Sequence, residues 1–423
     1  MNYKEWNIVK LGDICEVRGR IGWRGYTTKD LTDSGPIVIG AKDITQDNKL
    51  DLSNVKHLTL EKYEESPEIH IKKNDILLVK VGNTIGKVAI VTKNIGDATI
   101  NPNTVILRTK KINPYYLYYY LNDRYAQHYL KSNSSASAQP AINQATIKKM
   151  QVMIPPIEEQ NNIVDILKSL DEKIEINNQI IKKLEEMAQV IFMQWFIDFE
   201  FPNENGEPYK SSGGEMIESE LGKIPKKWDI LKLGYLGEFK NGINYSRNED
   251  GDKEYSIINV RDLVEGDFII KNQLDKIRIN SNKAESYKLL KGDLLIVRSA
   301  NPGEMGIVLE DLENTIYSGF IIRFRLTEDS LLYYTYFALK SKKNKFAQYS
   351  DGTTLKNINQ KMLKKINVII PEKKVLEKFN QIVQPIFNKI TLTNKENEYL
   401  KELRDLLLPK LMSGEIRVPI ESE

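Results

Sequence analysis

Residues that build catalytic and metal centres are scarce in this sequence. Its 423 residues include one cysteine, Cys15, and three histidines, His57, His70 and His128. The histidines lack metal-ligand spacing, and a single cysteine provides neither an internal disulfide nor an anchor for zinc. No glycine-rich loop ends in Gly-Lys-Ser or Gly-Lys-Thr, so the sequence contains no phosphate-binding loop of the kind that ATP hydrolysis requires. The sequence therefore indicates a protein that is not an enzyme and that resides in a reducing compartment.

A large excess of charge and long hydrophobic runs are missing as well. The formal net charge is +3, with 28% charged and 41% hydrophobic residues, which is ordinary for a folded globular protein. A protein that held nucleic acid by charge alone would be far more basic, so DNA binding must be local or shared with a partner. No apolar stretch approaches the roughly 20 residues of a membrane span. We expect a soluble, cytoplasmic protein of two to three domains.

What the sequence does contain is a second copy of its own pattern. The stretch Lys73–Lys80, KNDILLVK, returns as Lys291–Arg298, KGDLLIVR. The tripeptide Ile142–Gln144 likewise returns as Ile358–Gln360. The offset is uneven in the front part of each copy and stays at 216 residues from the tripeptide onward. Because insertions collect in loops, each copy has a tolerant front part and a rigid rear part.

The front parts, residues 1–155 and 220–371, alternate short β-branched runs with turn signals, and each includes an aromatic helix. Strands and helices in no strict order predict the α+β class, with two similar domains. The aromatic residues Tyr115 to Tyr120 are interpreted as core. The predicted strands are 37–39, 76–79, 88–91, 104–107, 255–258, 294–297 and 320–324.

The rear parts, residues 156–200 and 372–416, place apolar residues at an unbroken 4-3-4-3 spacing, which is the seam of a coiled coil. Each rear part is therefore predicted to be one long helix. The apolar seam residues are Ile163, Leu167, Leu170, Ile174, Ile181, Leu184 and Ile191 in the first helix and Phe379, Val383, Ile386, Ile390, Leu400, Leu407 and Leu411 in the second.

Both seams become polar near the middle, at Asn177 and at Thr393 with Asn397. In an antiparallel pair these middles would meet, and a polar layer would fix the register at some cost in stability. The alternative is that they face solvent near a helix bend. Pro385 is expected to kink the second helix or to delay its regular start. The acidic pair Glu158-Glu159, by contrast, is expected to face water.

Four stretches resemble the type I restriction-modification specificity subunits. They are the junction Ser219–Trp228, SELGKIPKKW, the Ile-Pro endings at Ile154-Pro155 and Ile370-Pro371, and the closing Leu408–Ile416, LPKLMSGEI. Together they cover essentially the whole chain. The resemblance implies two target recognition domains, residues 1–155 and 220–371, and two long antiparallel coiled-coil helices, residues 156–200 and 372–416. A polar linker, residues 201–219, follows the first helix.

In that family, each recognition domain reads one half of a split, asymmetric double-stranded DNA site. The resemblance implies that two methyltransferase subunits dock on the helices and methylate adenine with S-adenosylmethionine, while this chain binds no cofactor and no metal. An endonuclease and translocase subunit can join them. The alternative function is a twin-domain adaptor that binds protein rather than DNA.

Three loops in each copy are candidates for DNA contact. Residues 18–26 and 240–247 combine basic and aromatic side chains with glycine, although they can equally be solvated loops. Residues 80–84 and 298–301 place a cation and an amide at a strand end, where turn chemistry alone explains the amides. Residues 132–140 and 350–357 are polar and precede Asn143 and Asn359, which are also suited to helix capping.

The candidate DNA contacts from the first copy are Arg18, Arg20, Trp23, Arg24, Lys80, Asn83, Ser135, Gln139 and Asn143. Those from the second copy are Asn244, Arg247, Arg298, Asn301, Thr353, Thr354, Lys356 and Asn357.

Overall fold

The computed structural model describes residues 5–20, 25–135, 139–246, 250–264, 274–299, 301–343 and 357–419. The chain forms two compact units: unit 1 consists of residues 1–174 and 399–423, and unit 2 of residues 175–398. Each unit therefore contains one front part, the beginning of the long helix that follows it, and the end of the other long helix. Across the described ranges, no helix has both the length and the apolar character to span a membrane.

Unit 1 is built on a four-stranded and a three-stranded sheet, with strand orders β2-β8-β5-β6 and β4-β3-β7, and on the pair β1-β9. Strand β5 is buried on both faces, which explains why its sequence is an uninterrupted apolar run. The strands are β1 Asn7–Lys10, β2 Cys15–Arg18, β3 Leu31–Ile39, β4 Lys56–Leu58, β5 Ile76–Val79, β6 Val88–Ile90, β7 Ala98–Ile100, β8 Thr104–Thr109 and β9 Gln151–Ile154.

Unit 2 repeats this topology strand for strand, as β13-β19-β16-β17, β15-β14-β18 and β12-β20, and adds the hairpin β10-β11. The predicted internal repeat is thus a repeat of the fold. The strands are β10 Met216–Ser219, β11 Gly222–Pro225, β12 Asp229–Lys232, β13 Gly237–Asn241, β14 Lys253–Ile258, β15 Asp275–Ile279, β16 Leu294–Val297, β17 Met305–Ile307, β18 Thr315–Tyr317, β19 Ile321–Leu326 and β20 Asn367–Ile370.

Short helices connect the strands in both units. The predicted aromatic helix of the first copy is in fact two helices, because Asp123 ends one and caps the next by accepting a hydrogen bond from the Tyr125 N–H. Unit 1 contains helices Leu11–Ile14, Leu60–Glu64, Pro114–Asn122, Arg124–Ser132 and Gln144–Lys149. Unit 2 contains helices Val260–Val264, Ser281–Glu285, Leu332–Lys340 and Gln360–Lys364.

The two predicted long helices are present and run antiparallel. The first spans Ile157–Phe192 and continues as a π-helical turn, Met193–Ile197. The second spans Lys373–Met412. It begins well before Pro385, so the expectation of a delayed start is wrong. Within unit 2 Trp195 packs against Phe379, with ring centroids 6.0 Å apart.

The apolar seam residues of both helices are turned away from solvent. The buried ones are Ile163, Leu167, Ile174, Ile181, Phe379, Val383, Ile390 and Leu411, and the half-buried ones are Leu170, Leu184, Ile191, Ile386, Leu400 and Leu407. Only one face of each helix is therefore used for this packing, as expected for a two-helix seam.

The polar middle of the seam is buried, so the interpretation that it faces solvent is wrong. Within unit 2 the Asn177 side-chain amide donates to Asn397 Oδ1 over 2.9 Å, and Asn397 Nδ2 donates to Asn178 Oδ1 over 2.9 Å. Thr393 is buried beside this layer on the second helix. An amide pair satisfies its donors and acceptors in one alignment of the helices only, so it disfavours a shifted register.

The expectation that Glu159 faces water is wrong, because its side chain is fully buried in unit 1. Its carboxylate accepts hydrogen bonds from Arg417 Nε over 2.7 Å and from Trp6 Nε1 over 3.0 Å. The Arg417 guanidinium also lies 5.3 Å from the centre of the Trp6 ring. We call this cluster of Trp6, Glu159 and Arg417 the clasp. It joins the beginning of unit 1, the first long helix and the tail that follows the second.

Unit 2 has an apolar counterpart of the clasp. Trp228 stands at the position of Trp6, and the Phe201 ring stacks on it with centroids 5.1 Å apart. Phe201 belongs to the segment that follows the first long helix, and Tyr209 stacks on its other face at 4.5 Å. The linker predicted over residues 201–219 is therefore packed against unit 2, and its last residues form strand β10.

The clasp makes the stability of unit 1 depend on pH. Burial raises the pKa of Glu159, but the hydrogen bonds from Arg417 and Trp6 outweigh burial and hold that pKa below its ordinary value. A carboxyl with a lowered pKa stabilises the fold above its unfolded pKa of about 4.3, and this stabilisation is lost as pH falls through the folded value.

Replacing Glu159 by Gln is therefore expected to lower the free energy of unfolding by about 1–3 kcal/mol at pH 7. The difference from the unchanged protein should shrink as the pH falls below about 4. Urea denaturation at several pH values measures it. The matched control is Glu158→Gln, since Glu158 is the exposed neighbour on the same helix. A loss that stays constant with pH would contradict the assignment.

Candidate nucleic-acid interface

In unit 1, two of the predicted DNA-contact loops meet at the end of the central strand β5, where the Gly82 N–H donates to the Pro140 carbonyl over 2.8 Å. Lys80 follows this strand, and its N–H donates to the Asn103 carbonyl over 2.8 Å. The Lys80 carbonyl accepts from the Ile142 N–H over 2.9 Å. The strand end is therefore hydrogen-bonded on one side to the turn before β8 and on the other to the repeated Ile-Asn-Gln.

Unit 2 has the same backbone arrangement at the end of β16. The Arg298 N–H donates to the Phe320 carbonyl over 2.9 Å, and the Arg298 carbonyl accepts from the Ile358 N–H over 2.8 Å. A third loop, which follows β13, joins this group because the Ile243 carbonyl accepts from the Gly319 N–H over 2.8 Å. We call these two places the strand-end sites of units 1 and 2.

The repeated Ile-Asn-Gln has a structural role, because it holds the loops of the strand-end sites in place. Its isoleucines, Ile142 and Ile358, are buried. The next residue caps a short helix: Asn143 Oδ1 accepts from the Thr146 N–H over 2.8 Å, and Asn359 acts in the same way. This agrees with the capping interpretation. Gln360 hydrogen-bonds the Asn241 side chain at the end of β13, over 3.0 Å.

Arg18, the last residue of β2, and Arg20, just beyond it, both contact their own unit. Arg18 pairs with Glu16 and donates to the Glu68 carbonyl over 3.2 Å. Arg20 is 7% exposed, and its Nε donates to the Ile100 carbonyl over 3.1 Å. Burial lowers the pKa of Arg20. Each of the two guanidinium groups is thus partly or fully committed within unit 1.

The cations of the strand-end sites, Lys80 and Arg298, have different surroundings from those of Arg18 and Arg20. Lys80 and Arg298 are both half-buried, and neither side chain has a carboxylate partner within the described ranges. Burial lowers the pKa of Lys80. A half-buried cation that has lost water without gaining a carboxylate is well suited to receive a phosphate oxygen.

The remaining candidates are polar groups around these two cations. Ser135 Oγ accepts from the Ala141 N–H over 3.0 Å, so it shapes its own loop. The side chains of Asn83, Gln139, Asn244, Asn301 and Asn357 are exposed. The candidates Trp23, Arg24, Arg247, Thr353, Thr354 and Lys356 lie outside the residues that the structure describes.

Sequence reasoning missed one pair of positions at the strand-end sites, Asn103 in unit 1 and Phe320 in unit 2. Their carbonyls accept from the N–H groups of Lys80 and Arg298, so they are equivalent. The predicted strand 320–324 includes Phe320, whereas β19 begins at the next residue. Because the repeat offset is uneven in the front parts, the sequence does not align these two positions, and it does not show that Phe320 is exposed.

Neither strand-end site has the composition of a metal centre. Over the ranges that the structure describes, no group of three or more His, Cys, Asp or Glu side chains is placed to hold a metal ion. What the sites offer is one cation, several amides and backbone turns, which is the chemistry of phosphate and base-edge contacts.

Comparison with known proteins identifies the family of this chain. A family model for the type I restriction modification DNA specificity domain matches residues 3–186 and 225–402. The type I restriction enzyme MjaIX specificity subunit of Methanocaldococcus jannaschii is 29% identical, over 98% of this chain and 94% of that protein. The HindI specificity subunit of Haemophilus influenzae is 24% identical, over 97% of this chain and all of that protein (100%).

A solved structure shares the fold. The type I restriction-modification system S subunit from M. genitalium superposes with a TM-score of 0.54 at 16% identity, covering 97% of this chain and 96% of that one. The match extends over both copies of the repeat and both long helices.

If the strand-end cations contact phosphate, Lys80→Ala and Arg298→Ala should each weaken DNA binding roughly tenfold. Each should also reduce the slope of log affinity against log salt by about one, because one counterion fewer is released. Fluorescence anisotropy across a salt series measures both quantities. Lys223→Ala, in the hairpin β10-β11, is the control, and its slope should not change. Slopes equal to that of the unchanged protein would exclude phosphate contact.

Proposed function

The chain belongs to the family of the type I restriction modification DNA specificity domain, which matches it twice, and we propose that it is the DNA specificity subunit of a type I restriction-modification complex. It reads a bipartite, asymmetric DNA target and brings methyltransferase and endonuclease subunits to that target. The chain itself is non-catalytic. Adenine methylation, with S-adenosylmethionine as cofactor, takes place on the methyltransferase subunit, and the complex acts in the cytoplasm.

The observation that carries this proposal is a repeated backbone with unlike side chains. The two strand-end sites use the same hydrogen bonds, yet one presents Lys80 and Asn103 and the other Arg298 and Phe320. Base edges are distinguished by a few side chains on loops, whereas the framework only has to position them. Two equal frameworks with different side chains are therefore suited to two different half-sites.

The long helices support the proposed assembly with two copies of the methyltransferase subunit. Besides its buried seam, each helix carries a second apolar row that is exposed. We call these rows the helix stripes. Met187 and Val190 of the first stripe correspond to Leu403 and Leu406 of the second at the repeat offset. The stripe residues are Ile180, Met187 and Val190 on the first helix and Tyr399, Leu403 and Leu406 on the second.

Equivalent apolar rows at equivalent positions are what one kind of partner needs in order to bind twice. An exposed row of large apolar side chains on an otherwise charged helix is costly in water and marks an interaction surface. Since the first stripe lies within unit 2 and Tyr399, Leu403 and Leu406 lie within unit 1, each unit provides one docking surface for the methyltransferase subunit.

Domain exchange tests the proposed DNA recognition. Replacing residues 1–155 by the corresponding domain of another specificity subunit should change one half of the methylated target and leave the other half unchanged. Methylome sequencing of cells that carry the exchanged chain with its methyltransferase reads both halves. A reciprocal exchange of residues 220–371 is the matched control and should change the opposite half. Changes in both halves, or methylation without sequence preference, would refute independent reading by two domains.

The helix stripes predict the number of partner subunits. Met187→Glu and Leu403→Glu should each reduce the complex from two bound methyltransferase subunits to one, and the double variant should bind none, because a buried unpaired carboxylate opposes docking. Native mass spectrometry counts the subunits directly. Gln189→Glu adds the same charge at an exposed neighbouring position of the first helix and should leave two subunits bound.

A further inference from the structure

Phe320 occupies the middle of the strand-end site of unit 2. Its carbonyl accepts from the Arg298 N–H over 2.9 Å. Its neighbour Gly319 hydrogen-bonds the loop after β13, and a side chain at Gly319 would collide with the Asn244 side chain, since an added Cβ would lie 2.1 Å from Asn244 Oδ1. Phe320 is therefore flanked on one side by Asn244 and on the other by Arg298.

The Phe320 side chain is directed to solvent, with 61% of its surface exposed. Single exposed apolar residues are common on protein surfaces and by themselves indicate nothing. Here, however, Phe320 shares the strand-end site with loops that carry three exposed amides, Asn244, Asn301 and Asn357. Among the described residues, the Phe320 ring belongs to none of the apolar clusters of unit 2 and the Arg298 side chain has no carboxylate partner, so both groups are available to a bound ligand.

The equivalent residue of unit 1 supports this view. Asn103 accepts the hydrogen bond from Lys80 as Phe320 accepts that from Arg298. The backbone therefore does not dictate the residue type, because one unit has an amide and the other an aromatic ring at the same place. An amide can donate and accept at a base edge, whereas a phenyl ring offers only apolar contact.

We propose that Phe320 is a specificity-determining residue of unit 2, which contacts the 5-methyl group of a thymine in the major groove of its half-site. Thymine is the base that presents an apolar group there, and phenylalanine is among the side chains that contact it. Arg298 beside it grips the backbone or a purine of the same half-site. This inference rests on the proposed function, because it requires that unit 2 reads DNA.

Replacing thymine by uracil tests the contact one methyl group at a time. The target is first determined by methylome sequencing, and duplexes are then made in which each thymine of the half-site read by unit 2 is replaced in turn by uracil. This removes one methyl group and leaves the hydrogen-bonding edge unchanged. For the complex with the methyltransferase subunit, one replacement should weaken binding about 3- to 10-fold, as expected for one buried methyl group.

The variant Phe320→Ala should bind the thymine duplex as weakly as the uracil duplex, so that the methyl effect disappears. Phe320→Leu should retain most of it, because leucine restores apolar contact. Tyr235→Ala is the matched control: Tyr235 is 75% exposed in the same unit but precedes β13 at the end opposite Asn241. That control should keep the full effect. Thermal melting of each variant verifies that the fold is retained.

The possible failures are distinguishable. If the unchanged complex prefers a half-site but no uracil replacement weakens binding, or if Phe320→Ala keeps the methyl effect, the assignment of Phe320 is wrong while the proposed function stands. If the unchanged complex shows no sequence preference at all, the proposed function and the role of Phe320 are both refuted.

Discussion

An ion pair between a buried aspartate and a half-buried arginine, repeated in both units, fixes the strand from which each strand-end site extends. Asp75 is 1% exposed. Its carboxylate accepts hydrogen bonds from Arg108 Nε over 2.7 Å and from a terminal guanidinium nitrogen of Arg108 over 2.6 Å. Asp293 and Arg325 repeat this with 2.7 Å for each bond. The pair locks the central strand against its neighbour at one end, and the strand-end cation lies at the other. A slip by one residue would break the pair and turn Lys80 to the opposite face.

The two units share this framework and differ in the side chains that pack around it. In the clasp of unit 1, Arg417 lies over the Trp6 ring, whereas in unit 2 Phe201 stacks on Trp228. The clasp also contains the Glu159–Arg417 ion pair and is therefore sensitive to pH, whereas the contact between Phe201 and Trp228 is apolar and insensitive to it. The same replacement of polar by aromatic residues separates Asn103 from Phe320. The two units thus share the hydrogen-bonded core of each strand-end site and differ in the side chains around it.

Local patterns in the sequence predicted most of the fold, and contacts between distant residues explain what was missed. The run 76–79 and the heptad seams could be assigned because their periodicity is read within a few residues. Glu159 was misjudged because its partners Trp6 and Arg417 lie 153 and 258 positions away. Phe320 was missed because exposure depends on the surrounding loops. The strand-end cations, Lys80 and Arg298, follow from the repeat in the sequence. That Arg18 and Arg20 are bound to partners within unit 1 follows only from their contacts in space.

Unit 1 is completed by residues from the far end of the chain. Its compact body joins residues 399–423 to residues 1–174, whereas unit 2 consists of residues 175–398 alone. A ribosome releases about 5–20 residues per second from the N-terminus, so the recognition domain that is made first has to wait for Leu411 and Arg417 before its core and clasp can close. The core cluster that contains Leu411, and the clasp that contains Arg417, are therefore complete only once the second long helix has been synthesised.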